Sequence, residues 1–597
     1  MIEIWLPGRF SKRPRKSNIK STILLASEEL DRLQSLAGEW TQHAQYIPLS
    51  PDNESKLGED IDTVFDDLLS RDVDGVLWQT HLGARNPFAF PYLVRCRLIA
   101  SCLLALSGQE KENYLLLVTS PSVARTLKRE ILKKTKRQVC LTGVPPLWIY
   151  FAALRGRQFV HALRFLKSII LTKKTKKNEL PSRHSILLKT WVTQDCINRP
   201  APYLNRNFGE FQNFLVHENR QVWVWPQFHL LKDTKSAAVA KLRDKGIKVI
   251  HDLELLRLSP SLKVVSRLFR ASKLQGNAVT LEIDTTDVLR ECHLQTGIYQ
   301  ESLVLASAGA VLSELKNQES LPGAIYFPYE SNLAENALIS EVRRMGLETK
   351  LLAFQHSVWF RKHSGMELSK ALRQRQPFPD RIITSGHEYL RILEFAGYPR
   401  SILFEGCNLR FTAANRRDEP LNDSGSRDDK NSLAVLIHQF PGQAVAMIRW
   451  IARRGALSRR YRLLLKPHPA LSSQWLEALC HEYGLENFEI VEGPIDQTIA
   501  RSWAVLTSRS SVSYLEIISS GHLVIVPCLE AVIDLDTLWE SASHVIFAME
   551  PEEIVRIAEK SSSQKLLLRE YGKDVGRRYF EPVSDRRMTS FSNFIST

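Results

Sequence analysis

The chain has 597 residues, of which 44% are hydrophobic and 24% are charged, and its formal net charge is +15. Because this length exceeds what one hydrophobic core organises, we expect a soluble globular protein of two or three domains. No apolar run reaches the roughly 18 residues of a membrane span, and the opening Met-Ile-Glu-Ile-Trp lacks the layout of a secretory signal. These features predict a cytoplasmic protein without a transmembrane helix.

The eight cysteines are scattered and include no Cys-x-x-Cys pair, which is typical of reduced thiols and not of a disulfide scaffold or a zinc site. The positive charge favours an anionic partner, namely nucleic acid, acidic lipid head groups or a phosphorylated substrate. The sequence has no nucleic-acid recognition motif, and its predicted strands show no interleaving of aromatic and basic residues. We therefore expect no nucleic-acid partner.

Residues 1–180 contain apolar runs that predict strands at Val76–Trp78 and Tyr114–Val118. This region is either an N-terminal extension or an extra α/β module, and its role stays open. The segment Leu147–Leu171 within it has the periodicity of a helix.

Six large apolar residues lie near one face of that helix: Trp148, Phe151, Phe159, Leu163, Leu166 and Ile170. Basic residues lie among them and after them: Arg155, Arg157, Arg164, Lys167, Lys173, Lys174, Lys176 and Lys177. Such a helix either lies on an anionic membrane surface or packs on the core, with a solvated basic loop after it. The first alternative predicts a peripheral protein at the inner face of the plasma membrane.

Residues 182–412 alternate short apolar runs with helical patterns such as Ser331–Met345 and His387–Ala396. The predicted strands are Ser185–Lys189, Val222–Trp225, Lys248–Ile250, Ala324–Phe327, Leu351–Phe354 and Arg381–Thr384. Continuous apolar strands separated by helices predict a parallel sheet covered on both faces.

Residues 413–431 contain almost no apolar side chains, which predicts a linker at the main domain boundary. Residues 432–597 then resume the alternation. Their predicted strands are Leu433–Ile437, Arg462–Leu465, Phe488–Val491, Ala504–Thr507, Leu523–Val526 and Val545–Ala548. Two Rossmann-like α/β domains joined by a linker form a cleft, and ligands of open parallel sheets bind at the carboxyl ends of the strands.

The segment Lys466-Pro467-His468-Pro469 follows a buried strand of the second domain. Its two prolines stiffen the chain, so that the lysine and the histidine leave the carboxyl edge of the sheet in a fixed direction. A cationic and hydrogen-bonding pair at this place suits a phosphate group. The alternative is a strand end with a turn, in which the histidine has no role.

The segment from Thr507 to Glu516 follows the next predicted strand and opens a helix that extends to about Ser520. Ser510 and Ser511 at the start of that helix offer hydroxyl and backbone N–H donors and the positive end of the helix dipole, which suits a phosphate. Glu516 lies about a turn and a half later, within reach of a ribose hydroxyl. Alternatively, Ser510 only caps the helix and Glu516 packs or pairs locally.

Lys-Pro-His-Pro followed about forty residues later by a Ser-Ser turn resembles the C-terminal domain of a glycosyltransferase group of the GT-B fold. This group includes bacterial sialyltransferases, Kdo transferases of capsule synthesis and teichoic-acid glycerophosphotransferases, which use CMP- or CDP-activated donors. The wider resemblance is to bacterial surface-carbohydrate (capsule and lipopolysaccharide) biosynthesis proteins. It rests on residues 324–330 (Ala-Ile-Tyr-Phe-Pro-Tyr-Glu) with Glu335, on residues 354–357 (Phe-Gln-His-Ser) and on residues 397–399 (Gly-Tyr-Pro).

The resemblance implies that His468 contacts the donor phosphate, that Ser510 and Ser511 hold it, and that Glu516 binds the ribose. It also implies a catalytic base in the first domain. The glycerophosphotransferases carry a His-Gly pair where this chain has His356-Ser357, and sialyltransferases use an acidic residue, for which Glu330 and Glu335 compete. Each of the three also has a structural alternative: His356 only hydrogen-bonds locally, Glu335 complements a helix dipole, and Glu330 has a purely structural role.

The predicted fold class is therefore α/β and GT-B-like, with two Rossmann-like domains facing a cleft. The predicted function is an inverting, metal-independent glycosyltransferase that needs no cofactor. Its expected partners are a nucleotide-sugar donor, which the resemblance implies is CMP-linked, and a glycan or lipid-linked acceptor. The alternatives are a CDP-alditol phosphotransferase, a nucleotide-sugar 2-epimerase, and a non-catalytic scaffold in polysaccharide assembly.

Overall fold

The structure is a computed structural model. The residues it describes are 2–6, 23–24, 44–45, 50–71, 91–107, 114–118, 120–172, 180–198, 207–209, 211–229, 231–271, 276–298, 300–357, 359, 368, 373–374, 377–410, 431–438, 441–468, 471–493, 495–508, 513–519, 522–529, 546–558 and 562–595. The predicted strand Val76–Trp78 and the predicted linker 413–431, except its last residue, lie outside the described residues.

The first sheet is entirely parallel and belongs to an extra α/β module, one of the two alternatives for residues 1–180. Its strands are β1 (Ile2–Trp5), β2 (Ile23–Leu24), β3 (Ala44–Gln45), β4 (Tyr114–Leu117) and β5 (Val139–Thr142), in the order β3-β2-β4-β1-β5. The helices are Pro51–Arg71, Pro91–Ser107, Pro121–Thr135 and Leu147–Leu171. The last of these has the predicted bounds.

The second sheet is also parallel and has the strand order of a Rossmann fold. Its strands are β6 (Ser185–Val192), β7 (Gln221–Phe228), β10 (Ala324–Pro328), β11 (Lys350–Phe354), β12 (Arg381–Thr384) and β13 (Leu403–Glu405), in the order β13-β12-β11-β10-β6-β7. The predicted strand Lys248–Ile250 is wrong as a full strand, since only Val249 pairs, through a parallel bridge to Val224. Counting that bridge as a third strand gives the order 3-2-1-4-5-6-7, which contains the Rossmann order 3-2-1-4-5-6.

The helices of this region surround the sheet, and β8 (Val279–Thr280) and β9 (Ile283–Asp284) form a small antiparallel pair. The helices are Gln194–Asn198, Phe211–His217, Lys235–Asp244, Asp252–Leu255, Leu258–Ala271, Thr286–Gly297, Gln300–Ala306, Ala308–Asn317, Leu333–Arg344 and His387–Phe395. In the described part of the chain, we find no helix that is both long and apolar enough to cross a membrane.

The third sheet repeats the Rossmann order 3-2-1-4-5-6 without a substitute strand. Its strands are β14 (Ser432–Leu436), β15 (Arg462–Lys466), β16 (Phe488–Ile490), β17 (Ala504–Leu506), β18 (Val524–Pro527) and β19 (Ile546–Ala548), in the order β16-β15-β14-β17-β18-β19. The helices are Pro441–Ala452, Ala456–Arg460, Ser473–Glu482, Ile495–Ala500, Ser513–Ser519, Pro551–Ala558, Ser562–Tyr579 and Asp585–Ser592. Together the sheets confirm the α/β, GT-B-like fold class.

The last helix, Asp585–Ser592, returns to the second sheet and packs on one of its faces. Phe591 of Asp585–Ser592 is fully buried there against Phe211 and Phe354, with ring centroids 5.0 and 6.2 Å apart. The Tyr326 hydroxyl of β10 donates to the Phe591 carbonyl over 2.9 Å. The C-terminal segment is therefore part of the core of the middle region.

Candidate functional site

The carboxyl ends of β10 and β11 are neighbours in the second sheet, and each is followed by a predicted catalytic residue. Glu330 follows β10 and His356 follows β11. His356 Nε2 lies 3.2 Å from Glu330 Oε1, and the side chain of the histidine is 4% exposed against 25% for the glutamate. The two parallel strands thus bring together a buried imidazole and a more accessible carboxylate.

Glu335 lies beside this pair and closes the start of the helix Leu333–Arg344. Its Oε2 accepts from the backbone N–H groups of Glu330 at 2.7 Å and Asn332 at 3.1 Å, while the Asn332 side chain accepts from Ala334 and Glu335 N–H. This is a capping box, in which the N-cap and N3 side chains satisfy each other's backbone donors. Glu335 therefore has the structural role at the start of this helix that was one of its two predicted alternatives.

Burial and the nearby Glu330 charge raise the pKa of Glu335 well above its usual range, and the backbone donors oppose the rise. Ser331, between the two glutamates, is buried with a φ of +56°, a left-handed conformation that costs free energy for a residue with a Cβ. The capping box holds that conformation, and it fixes where Glu330 leaves the strand.

Gln355 holds the turn that carries His356. Its side-chain oxygen accepts from Ser385 N–H at 2.9 Å and from the Ser385 hydroxyl at 2.7 Å, and its amide donates to the Ser357 carbonyl. Ser385 follows β12, and its carbonyl accepts from Glu581 N–H over 2.8 Å. The orientation of the histidine turn is therefore coupled to the next strand and to the C-terminal segment.

A buried lysine was missed in the sequence. Lys189 of β6 is 4% exposed, its ammonium lies 3.9 Å from the centre of the Trp225 ring, and burial lowers its pKa while Asp252 and Glu335 oppose the change. The Trp225 indole donates to Asp252. A lysine inside an otherwise apolar predicted strand was the available signal, because an unpaired charge is rarely buried.

In the third sheet, β15 ends at Lys466, so this lysine lies at the carboxyl edge of the sheet, where the phosphate-binding prediction placed it. The Lys466 ammonium donates to the Val491 carbonyl over 3.3 Å, and burial lowers its pKa, opposed by the Glu492 charge. His468 is half-buried two residues later, and its carbonyl accepts from Leu471 N–H over 2.8 Å. Both residues lie at the carboxyl edge of the sheet.

The Ser510–Ser511 turn and Pro469 lie outside the described residues, so the predicted phosphate cradle stays a prediction. The flanks are described: β17 ends at Leu506, and Glu516 belongs to the helix Ser513–Ser519. Thr507, directly after β17, is fully buried, and its Oγ1 has no hydrogen-bond partner among the described residues.

A second residue missed in the sequence is His438. It is half-buried two residues after β14, the strand that lies between β15 and β17. Because the three strands are parallel, His438 leaves the same sheet edge as His468. The rule that singled out His468, a histidine directly after a buried strand, applies equally to it.

Among the described residues, no group of three or more His, Cys, Asp and Glu side chains is arranged to hold a metal ion. The eight cysteines form no disulfide, and all but Cys140 and Cys528 are buried.

No protein-family model matches the chain, and no curated protein matches it. Among solved structures, it is similar to UDP-GlcNAc 2-epimerase from Neisseria meningitidis bound to UDP-GlcNAc, at 10% identity and a TM-score of 0.41, over 69% of this chain and 99% of that one. A glycosyltransferase from Rickettsia africae ESF-5 has 10% identity and a TM-score of 0.38, over 70% and 99%. S. aureus MnaA with UDP has 11% identity and a TM-score of 0.38, over 69% and 96%.

Proposed function

We propose that the chain is an inverting glycosyltransferase that moves a sugar from a nucleotide-activated, CMP-linked donor onto a glycan or lipid-linked acceptor of a bacterial surface polysaccharide. The observation that carries the proposal is the 3.2 Å contact between His356 Nε2 and Glu330 Oε1 at the carboxyl edge of one Rossmann-like domain. A second Rossmann-like domain presents Lys466 and His468 at its own carboxyl edge. Acid–base groups and phosphate-binding groups are thus divided between two sheets.

The Glu330–His356 pair acts as the base. Glu330 is the more exposed member, so its carboxylate meets the acceptor hydroxyl, while the buried His356 holds that carboxylate in place through its Nε2 proton. Removing the hydroxyl proton lets the acceptor oxygen attack the anomeric carbon of the donor from the face opposite the nucleotide. The carbon–oxygen bond to the phosphate breaks, and the configuration inverts. Glu335 serves as a positioning residue, because its oxygens accept the hydrogen bonds of the capping box.

The leaving phosphate is stabilised by the other domain. Lys466 supplies a positive charge, His468 donates a hydrogen bond or a proton, and the predicted Ser510–Ser511 turn before the helix Ser513–Ser519 supplies N–H donors. Glu516 binds the ribose. Burial of Lys466 strengthens its attraction for an anion, since the effective dielectric constant is lower there than in water.

The donor site is tested by calorimetric binding of CMP, CDP, UDP and GDP to the full chain and to His468→Ala. We expect CMP or CDP to bind selectively and the variant to lose at least about tenfold in affinity, or about 1.4 kcal/mol. His481→Ala, which changes an exposed histidine of the same domain, should bind like wild type. Preference for UDP would instead favour a 2-epimerase, and binding without turnover of any donor would favour the scaffold.

The base is tested by the release of CMP from CMP-sugars, and of CMP from CDP-glycerol or CDP-ribitol, in the presence of membrane or glycan acceptors. We expect Glu330→Gln and His356→Gln to lower kcat by about a hundredfold or more without weakening nucleotide binding. The control is His387→Gln, since His387 and Glu405 are also 3.2 Å apart but the histidine is largely exposed. Turnover of only the CDP-alditols would replace sugar transfer with alditol-phosphate transfer.

A further inference from the structure

The helix Leu147–Leu171 carries an apolar face that the described protein does not cover. Seven of the sixteen exposed large hydrophobic side chains in the described residues belong to this helix, and their exposed fractions run from 44% to 73%. They are Trp148, Ile149, Phe159, Val160, Leu163, Ile170 and Leu171. At about 100° per residue, they fall within one arc of roughly 140° that runs the length of the helix.

The opposite face of the same helix is buried in the protein. Its buried residues are Phe151, Leu154, Gln158, Ala162, Phe165 and Ile169. Assigning Phe151 to the membrane stripe was therefore wrong, because its ring packs near Leu294 and under the Arg290 guanidinium at 4.6 Å. The core-packing interpretation holds for this buried face, and a second apolar face of the helix remains exposed.

The charged residues of this helix are all basic, which distinguishes its exposed apolar face from an ordinary protein–protein contact surface. The helix contains no Asp or Glu, and Arg157 and Arg164 are exposed along one border of the apolar arc. Lys167 is exposed within the arc itself, where a long stem lets the ammonium reach a polar interface. Four lysines follow at positions 173, 174, 176 and 177 of the sequence.

A groove begins at the other border, near the N-terminus of the helix. It is lined by apolar side chains, including the exposed Trp148, together with Arg155 and Arg290. Burial and the neighbouring Arg290 charge lower the pKa of Arg155, so an anion in this groove would relieve the repulsion between the two guanidinium groups. Asp287 also lines the groove.

We propose that this face docks on an anionic lipid bilayer, with the helix lying in the plane of the interface. The seven apolar side chains enter the acyl boundary, while Arg157, Arg164 and Lys167 meet acidic head groups. A second copy of the chain fits less well, because a twofold contact would place one acid-free basic helix against another. This inference is independent of the proposed catalytic chemistry.

The test is flotation of the full chain with vesicles of phosphatidylcholine alone or mixed with phosphatidylglycerol. Wild type should float with the mixed vesicles, less at high salt, and Phe159→Ser/Leu163→Ser should partition about tenfold less or weaker still. Phe395→Ser, which removes an aromatic side chain that is 83% exposed elsewhere, should float like wild type. Arg157→Gln/Arg164→Gln should reduce binding more than Arg459→Gln/Arg586→Gln, a control pair of exposed arginines.

Thermal unfolding of each variant should match wild type, because all the altered side chains are exposed. Equal flotation of wild type and the Phe159/Leu163 variant would overturn the proposal, and so would equal binding to neutral and mixed vesicles. If light scattering showed a dimer that the same variant dissociates, with vesicle binding unchanged, the face would belong to a second copy. Each of these outcomes is readable without any measurement of transferase activity.

Discussion

Two glutamates of one helix have opposite electrostatic surroundings, although both are buried. Glu335 sits at the first turn of Leu333–Arg344, where burial and the Glu330 charge raise its pKa well above the usual range. Six residues later, burial opposes the shift at Glu341, but the hydrogen bonds and charges of Arg344 and Arg267 lower its pKa. The fold therefore favours the proton on the first carboxyl group and disfavours it on the second.

The two shifts predict opposite dependences of stability on pH. A raised folded pKa contributes stability that is complete below the unfolded pKa of about 4.3 and is lost as the pH rises through the folded pKa. The stability of wild type relative to Glu335→Gln should therefore fall as the pH rises from about 4.3. Relative to Glu341→Gln, wild type should gain stability as the pH rises toward about 4.3 and stay level above it, because a lowered folded pKa acts below the unfolded pKa.

Urea unfolding of the three proteins from about pH 3, below the unfolded pKa of glutamate, to neutral pH measures both differences. The Gln variants keep the size of the side chain and remove the titration, so each serves as the control for the other. Parallel stability curves for all three proteins would contradict the assigned environments. If only Glu341→Gln differed from wild type in its pH dependence of stability, the raised pKa of Glu335 would be contradicted.

At the scale of elements, a buried polar network docks the first α/β module on the middle region. Glu291 of the helix Thr286–Gly297 is fully buried and pairs with Arg95 at 3.2 Å. It also accepts from the Ser120 hydroxyl at 2.7 Å, from Ser122 N–H at 3.1 Å and from the Tyr150 hydroxyl at 3.1 Å. Because Ser120 caps the helix Pro121–Thr135, one carboxylate joins four helices.

Glu291→Ala should loosen this junction, because it leaves the buried Arg95 charge uncompensated. Loss of one partner of such a pair costs about 3–5 kcal/mol. Hydrogen exchange should report faster local opening, by roughly a hundredfold or more, in Pro121–Thr135 and Thr286–Gly297. Glu348→Ala breaks a surface pair with Arg183 of similar distance, 2.9 Å, and should have little effect. Unchanged exchange in the junction helices would show that apolar packing alone holds the module.

The positions of most strands in the two Rossmann-like sheets were predictable from the sequence. The strands of both Rossmann-like sheets were found within about three residues of their ends, because strands buried on both faces are continuous apolar runs. The strands of the first sheet were mostly missed, since β2 and β3 have two residues each and β1 has four. The short β13 was missed for the same reason.

The candidate site was predictable only where chemistry follows a strand end. That rule placed Glu330, His356, Lys466 and His468 at sheet edges, since parallel strands share their carboxyl edge. It did not show that Glu330 contacts His356, because pairing depends on strand order and register. Nor did it reveal the network of Glu291, because its partners Arg95, Ser120, Ser122 and Tyr150 lie 141 to 196 positions away in the sequence.

At the scale of the whole molecule, the C-terminal helices link the two Rossmann-like domains. The helix Ser562–Tyr579 packs so closely on the third-sheet domain that a Cβ at Gly572 would lie 2.7 Å from Ile518. Its far end contacts the second-sheet domain, where the rings of Tyr579 and Tyr389 are 5.4 Å apart. Asp585–Ser592 then buries Phe591 on the second sheet. The two domains therefore share a continuous core.

Phe591→Ala should destabilise the molecule beyond the sheet on which the ring packs. A buried Phe→Ala change costs about 3–5 kcal/mol through lost contacts and the cavity that remains. Since Tyr579, Phe580 and residues of both domains belong to one core cluster, we expect calorimetry to show a single main transition for both domains, lowered by roughly 3–6 °C.

The same change at an exposed ring provides the control, and Phe395→Ala should leave the transition where it is in wild type. Two resolved transitions, of which only one moves with Phe591→Ala, would show that the C-terminal helices belong to the second-sheet domain without linking it to the third. A linked transition also has a consequence for catalysis. The Ser385 carbonyl accepts a hydrogen bond from Glu581 N–H, and the Ser385 hydroxyl donates one to the Gln355 side chain. Loosening the C-terminal segment should therefore disturb the turn that carries His356 and lower kcat.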